Sequence, residues 1–181
     1  MRIVAALAGR RTDAIDAVTA RFPEAQTGAV RNAIAELLRR EGVDTLVCSA
    51  ACGADLLALD AAMSLGLRCR IVLPFSREEF RRTSVIDRPG EWGDVYDRVL
   101  TAAGAKGELI VLSGEVGESR SYSQATETIL REAREVARDG RCIAILVWDG
   151  NSYGEADLTA EFGRLAAASG IEQREVLTKA T

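Results

Sequence analysis

Residues 45–74, TLVCSAACGADLLALDAAMSLGLRCRIVLP, decide the fold. The run Thr45-Leu46-Val47-Cys48 is short and unbroken by charge, as a strand covered on both faces is. Small residues follow from Ser49 to Gly53, and apolar positions then recur at helical spacing through Leu56, Leu57, Leu59, Ala62 and Met63, predicting a helix over Gly53 to Leu65. Arg70-Ile71-Val72-Leu73 is apolar again and is stopped by Pro74, which cannot donate to a ladder. Strand, helix and strand in so short a span form a βαβ unit, and its two strands run parallel.

The same alternation continues outward in both directions. Upstream, Arg2 to Ala8 reads as a buried strand ending in Gly9, and Val30, Ile34, Leu37 and Leu38 form the apolar face of a helix from about Thr27 to Arg40 closed by Gly42. Downstream, a short helix is expected over Arg77 to Arg82, then the loop RTSVIDRPGEWG and a helix over 92–103. Strands follow at Glu108 to Leu112 and Cys142 to Trp148, separated by a long helix from about Tyr122 to Arg138. A helix from about Glu155 to Ala168 and an edge strand over Gln173 to Leu177 complete the chain. The expectation is one α/β domain over residues 1–181: a Rossmann-like three-layer sandwich with a mainly parallel, doubly wound sheet.

Composition narrows the chemistry. With 48% hydrophobic and 28% charged residues the chain is that of an ordinary globular protein. Its net charge of −4 disfavours broad binding to nucleic acid, which needs a basic face. There is no histidine, so Ser-His-Asp and Cys-His systems and histidine-ligated zinc sites are excluded, and a general base must be a carboxylate, or failing that Cys, Tyr or Lys. No GxxxxGK[ST] occurs, which removes a P-loop. Cys48, Cys52, Cys69 and Cys142 have no CxxC spacing and read as reduced small hydrophobes, so no metal site is expected. The start MRIVAALAGRR lacks a signal peptide's apolar stretch and no segment is long enough to span a bilayer; the expectation is a cytoplasmic protein with no membrane partner. Of 23 basic residues only Lys106 and Lys179 are lysines, so positive charge is carried by the planar fork that grips phosphate in two places, although codon bias in a GC-rich genome produces the same excess.

In open α/β sheets ligands bind outside the carboxyl ends of the strands. The first such loop offers Gly9, Arg10 and Arg11, where backbone can approach an anion that arginine neutralises, or where charges are merely solvated. The second runs through Ser49, Gly53 and Ala54 to Asp55, small residues that allow close approach to phosphate or ribose, with Asp55 accepting ribose hydroxyls or only capping its helix. The third carries Pro74, Phe75, Arg77, Arg82 and Ser84; its arginines, with Arg81 and Arg88, suit a phosphate clamp or a solvated helix face paired with Glu78 and Glu79. The last carries Asp149, Gly150, Gly154, Glu155, Asp157 and Glu161, whose carboxylates can polarise a ribose, activate water, or complement the helix dipole. Asp157 and Glu161 are four residues apart, which places them on one helix face. Trp92, Trp148, Phe75 and Phe80 read as core first and as base-stacking groups second.

Together, the segment from Ser49 to Val85, the following DRPGEWG and the later VWDGNSYGEADLTAEF resemble the SLOG superfamily. That superfamily joins the Lonely Guy phosphoribohydrolases, the DNA-processing protein A family and nucleotide-sensing domains of bacterial defence and signalling systems. The resemblance runs from Arg2 to about Glu175 and is strongest from Ser49 to Gly93. It implies a bacterial protein with a Rossmann-like fold and a nucleotide-type ligand, and pairing of two copies through helices. Lonely Guy enzymes cleave an N-glycosidic bond with a PGGxGTxxE motif. In the similar stretch here Gly154 matches the glycine before the threonine, Glu155 stands in the threonine's place, and Leu158 stands where the glutamate belongs, with Asp157 one residue earlier. A carboxylate at the phosphate position repels a monophosphate, so hydrolysis would need Asp157, Glu155 or Glu161 to take the glutamate's part.

The leading expectation is therefore a domain that binds a nucleotide, dinucleotide or nucleotide sugar and requires no cofactor beyond it. A phosphoribohydrolase is the second reading, which leaves enzyme status open, and a nucleic-acid-binding module is the third.

Overall fold

In a computed structural model of the chain, residues 1–179 are described; positions 180 and 181 of the expected 1–181 domain lie outside the described residues. Six strands, β1 (Ile3–Gly9), β2 (Thr45–Cys48), β3 (Arg68–Leu73), β4 (Leu109–Val111), β5 (Arg141–Trp148) and β6 (Glu172–Leu177), form one sheet in the order β4-β3-β2-β1-β5-β6. Every neighbouring pair is parallel. The helices are α1 (Thr27–Glu41), α2 (Ala54–Ser64), α3 (Arg77–Ser84), α4 (Trp92–Ala105), α5 (Ser119–Ala137) and α6 (Leu158–Ala168). This is the expected Rossmann-like three-layer sandwich. Among the described residues no helix is long and apolar enough to cross a membrane.

The two-residue period of a strand sorts the side chains into two cores. On one face Ala5 and Leu7 of β1 and Leu46 and Cys48 of β2 pack with Ile34 and Leu38 of α1, Leu56 and Leu59 of α2, and Val99 of α4. On the other, Val4, Ala6 and Val47 pack with Ala125, Ile129 and Ala133 of α5 and Phe162 and Ala166 of α6. Both faces being covered explains why the strands read as continuous apolar runs rather than alternating ones. Phe75, Phe80 and Trp92 belong to the first core.

Local chemistry sets the ends of the helices. Gly42 adopts φ 66° after α1 and returns its N–H to Leu38 and Arg39. Ser76 caps α3: its hydroxyl oxygen accepts the Glu79 N–H at 3.4 Å and its O–H donates to the Glu79 carboxylate at 2.9 Å. That helix continues to Ser84, two residues past its expected end. At α6 the expectation needs correction. The helix starts at Leu158 rather than Glu155, because the Asp157 carboxylate accepts the N–H groups of Thr159 and Ala160 and so stands outside the helix as its N-cap. Asp157 and Glu161 therefore do not share a helical face.

The chain order places the site. From β1 it moves through β2 and β3 to β4, then crosses back to lay β5 on the opposite side of β1. The carboxyl ends of β1 and β5 thus form a topological switch point, where the loops that follow them diverge and leave a crevice.

Candidate functional site

Two glycines hold the floor of the crevice. A Cβ on Gly9 would fall 2.4 Å from the Ala54 Cβ and 2.6 Å from the Val147 carbonyl oxygen, so glycine is what lets β1, α2 and β5 close on one another. Gly53 has φ +91°, and its Cβ would lie 2.7 Å from both the Arg10 carbonyl and the Thr12 nitrogen. The loop after β2 thereby crosses against the loop after β1, and the Ala54 N–H donates to the Arg10 carbonyl at 3.0 Å.

Arg10 is buried at the centre of a polar cluster. Its Nη1 and Nη2 donate to the two oxygens of Asp157 at 2.6 and 2.8 Å, its Nε to Asp149 at 3.2 Å, and its Nη2 also to the Asn151 carbonyl at 2.6 Å. The guanidinium stands over the rings of Trp148 and Tyr153. The Tyr153 hydroxyl donates to Asp149, and the Tyr153 N–H to Asp157 at 2.9 Å. Burial pushes the Asp157 carboxyl up, but the Arg10 hydrogen bonds and the N–H groups of Ala160 and Tyr153 outweigh it and hold the group down at about 2. With its lone pairs filled by arginine and backbone, Asp157 is a helix cap and counter-ion. Because its folded value lies below its unfolded one, the stability it contributes is complete above about pH 4 and is lost as pH falls through about 2, a loss of about 2 kcal/mol. Denaturant unfolding followed from pH 5 to pH 2 should show this slope in the native chain and a shallower one in Asp157→Asn.

Two adjoining cavities open beside this cluster. The outer one, about 660 Å³, lies between the loop after β1 and the start of α6; four arginines, Arg10, Arg11, Arg21 and Arg88, and two aspartates, Asp13 and Asp157, line it. Arg21 stacks 3.4 Å over the Tyr153 ring. Arg11 pairs with Asp87, from which Arg88 stands 3.8 Å away. The inner cavity, about 290 Å³, is lined by the ends of β1, β2 and β3, by Thr83 and Ser84 of α3, and by Tyr122 and Thr126 of α5. Gly9, Arg11, Leu158 and Thr159 border both spaces.

Three buried side-chain polar atoms among the described residues have no hydrogen-bond partner: Arg11 Nε, Thr12 Oγ1 and Ser49 Oγ. Thr12 lines the outer space, Ser49 the inner one, and Arg11 their junction. An unmet buried polar atom costs on the order of 1–3 kcal/mol; Arg11 and Thr12 both face the Cys52 thiol, which is only a weak partner. Asp55 lines the inner cavity, 8% exposed, with Oδ2 accepting the Ala51 N–H at 3.1 Å. Burial pushes its carboxyl up to about 7, against the pull of the Ala51 N–H and of Arg11.

The structure thus gathers Gly9, Arg11, Ser49, Asp55, Pro74 and Ser84 around the inner cavity, and Gly9, Arg10, Arg11 and Asp157 around the outer one. Arg77 and Arg82 are exposed on α3 and line neither, while Arg81 forks onto Asp97 of α4 at 2.9 Å through both nitrogens. Phe75 is buried beneath the inner space, edge-on to Tyr122. Gly53 and Ala54 lie in the crossing below, and Asp149 is held by Arg10 and Tyr153. Gly150, Gly154 and Glu155 sit in the turn before α6, with Glu155 exposed, and Glu161 accepts from the Ser123 hydroxyl at 3.0 Å. Thr12, Arg21, Tyr122 and Thr126 were not legible as site residues, whereas Arg88 was read as one arm of a phosphate clamp. The first four lie far apart in sequence.

No family model and no curated protein matches this chain.

Proposed function

We propose that the chain binds a nucleotide or nucleotide-derived ligand across the two cavities, with phosphate in the outer space against Arg11, Arg21 and Arg88, and sugar or base in the inner one. The observation that carries this reading is the set of three unpaired buried polar atoms at and around the junction of the two spaces. An arginine-rich mouth above a smaller, hydroxyl-lined chamber suits a ligand with one anionic end and one neutral, hydrogen-bonding end. The spaces also have the scale of small-molecule sites, roughly 300–1,000 Å³. The position at the switch point and the resemblance to nucleotide-binding SLOG proteins support the same reading. Arg10 also lines the outer space, but Asp149, Asp157 and the Asn151 carbonyl hold four of its five N–H donors, so it has the smaller share of the phosphate contact. A cytoplasmic location accords with such a ligand.

The test is to incubate the purified protein with nucleoside mono- and diphosphates, dinucleotides and nucleotide sugars, and to follow retained and converted species by mass spectrometry. Arg88→Ala and Arg21→Ala are each expected to weaken a phosphorylated ligand about tenfold and to leave its unphosphorylated nucleoside unchanged, since one charge-assisted hydrogen bond is worth roughly that much. Retention of no panel member at millimolar concentration overturns the assignment. Free base and sugar phosphate in the same assay would mark turnover, for which Asp55 is the carboxyl beside the inner chamber with a value near neutrality. Light scattering of the same preparation tests the pairing of two copies. A steep loss of binding with salt would favour nucleic acid instead.

A further inference from the structure

The hydrogen-bonding character of the inner cavity identifies what it accepts. Of its six hydroxyls, those of Thr83, Ser84 and Thr126 have their protons already placed. Thr83 donates to the Glu79 carbonyl at 2.8 Å and Thr126 to the Tyr122 carbonyl at 3.1 Å, each within its own helix. Ser84 lies 3.4 Å from the Thr83 oxygen, and with the Thr83 proton engaged it is Ser84 that donates. The two threonines therefore present acceptor oxygens. Asp55 presents more of the same: only Oδ2 has a protein partner among the described residues, through Ala51, and Ser49 Oγ beside it is unpaired. A group rich in acceptors would meet oxygen lone pairs on several sides.

Resting on the nucleotide reading above, we propose that the inner cavity is a recognition subsite for a group bearing two adjacent hydrogen-bond donors, with the Asp55 carboxylate as their acceptor and the Ser49 hydroxyl as a third partner. Two parts of a nucleotide have that chemistry: the cis-diol of a ribose, and the edge of a guanine-type base with its ring N–H and amino group. Either one satisfies Asp55 as an ion. The ligand-free protein holds this carboxyl near its midpoint at neutral pH, so binding a donor group draws off its proton. The titratable or charged groups facing Asp55 are Arg11 from the loop after β1, Cys48 at the end of β2 and Tyr122 of α5. The segments of α3 and α6 that reach the cavity contribute Phe80, Thr83, Ser84, Leu158 and Thr159, none of them charged.

Titration calorimetry of the native chain, Asp55→Asn and Ser49→Ala with guanosine and adenosine monophosphates and their 2′,3′-dideoxy counterparts tests the proposal. Measurements run from pH 6 to pH 8 in buffers of different ionisation heat. Asn keeps the shape and the acceptor for Ala51, and thermal unfolding confirms that each variant is folded. Native affinity is expected to rise about tenfold more than that of Asp55→Asn across this range, with release of up to one proton near pH 7 that the variant lacks. The ligand phosphate titrates in both proteins, so the difference between them is what is read. At pH 8 Asp55→Asn should bind at least tenfold more weakly, and Ser49→Ala several-fold more weakly. A loss confined to the dideoxy ligands places the diol in the cavity; a preference for guanosine over adenosine places the base edge there. Binding that is equal in native and Asp55→Asn proteins, or that tightens on acidification, overturns the subsite and leaves the nucleotide assignment standing. Failure of the native chain to bind any of the four overturns the subsite, and failure across the whole nucleotide panel overturns the assignment as well.

Discussion

Replacing Arg10 by methionine is expected to destabilise the fold by about 3–5 kcal/mol at pH 7, a larger loss than most single substitutions cause. Methionine keeps much of the apolar stem but removes the only cation that pairs with Asp149 and Asp157 among the described residues. Both carboxylates are almost fully buried, so neither gains water when the arginine leaves. Asp157 retains the N–H groups of Tyr153, Thr159 and Ala160, which limits the damage, whereas Asp149 retains only Tyr153 and its local backbone. Urea unfolding at pH 7 measures the effect. The gap to the native chain should narrow as pH approaches 4, because carboxyls without Arg10 protonate more readily and then cease to be buried charges. A difference below about 1 kcal/mol at pH 7 would show that the cluster relaxes into solvent and is not a fixed support of the α6 N-terminus.

The substitution Asp55→Asn should have the opposite sign. In the ligand-free protein this carboxyl sits at about 7, well above its value of 3.8 in an unfolded chain, because burial penalises the ion. The folded state therefore binds the proton more tightly than the unfolded state, and stability attributable to this group falls as pH rises from about 4 to about 7. Above that window the buried ion costs about 4 kcal/mol, which Asn removes. Unfolding midpoints at pH 5 and pH 8 should differ more in the native chain than in the variant, with the variant the more stable at pH 8. Equal profiles would mean that Asp55 is solvated when folded. Such a cost is what the proposed binding role of Asp55 would impose, since stability and ligand recognition compete at the same carboxyl.

Much of the architecture was readable before any coordinates. The unbroken apolar runs from Ile3 to Ala8, Thr45 to Cys48 and Cys142 to Trp148 needed two covering layers, and the helical spacing between them supplied those layers. Element ends were less legible where a side chain bonds to nearby backbone. Asp157 has a residue type that suits either a first-turn acid or a cap, and only the direction of its carboxylate shows that it is the cap. Arg10 and Arg11 are adjacent and chemically identical, yet one is clasped by two aspartates and the other keeps an unmet N–H at the junction of the cavities. No local pattern separates them, because the partners lie some 140 residues away for Arg10 and in the loop after α3 for Arg11.

The sequence by itself determined the fold class, the parallel sheet and the end of the sheet at which chemistry is to be sought, since periodicity and turn residues are local properties that the chain carries in any context. Tertiary structure decided which polar groups are free. It turned Arg77 and Arg82 outward, enclosed Arg10 with Asp157, and brought Ser49, Asp55, Thr83 and Thr126 from three separate segments around one chamber. Burial and pairing set the charge of each carboxyl, and both depend on neighbours that only folding brings together.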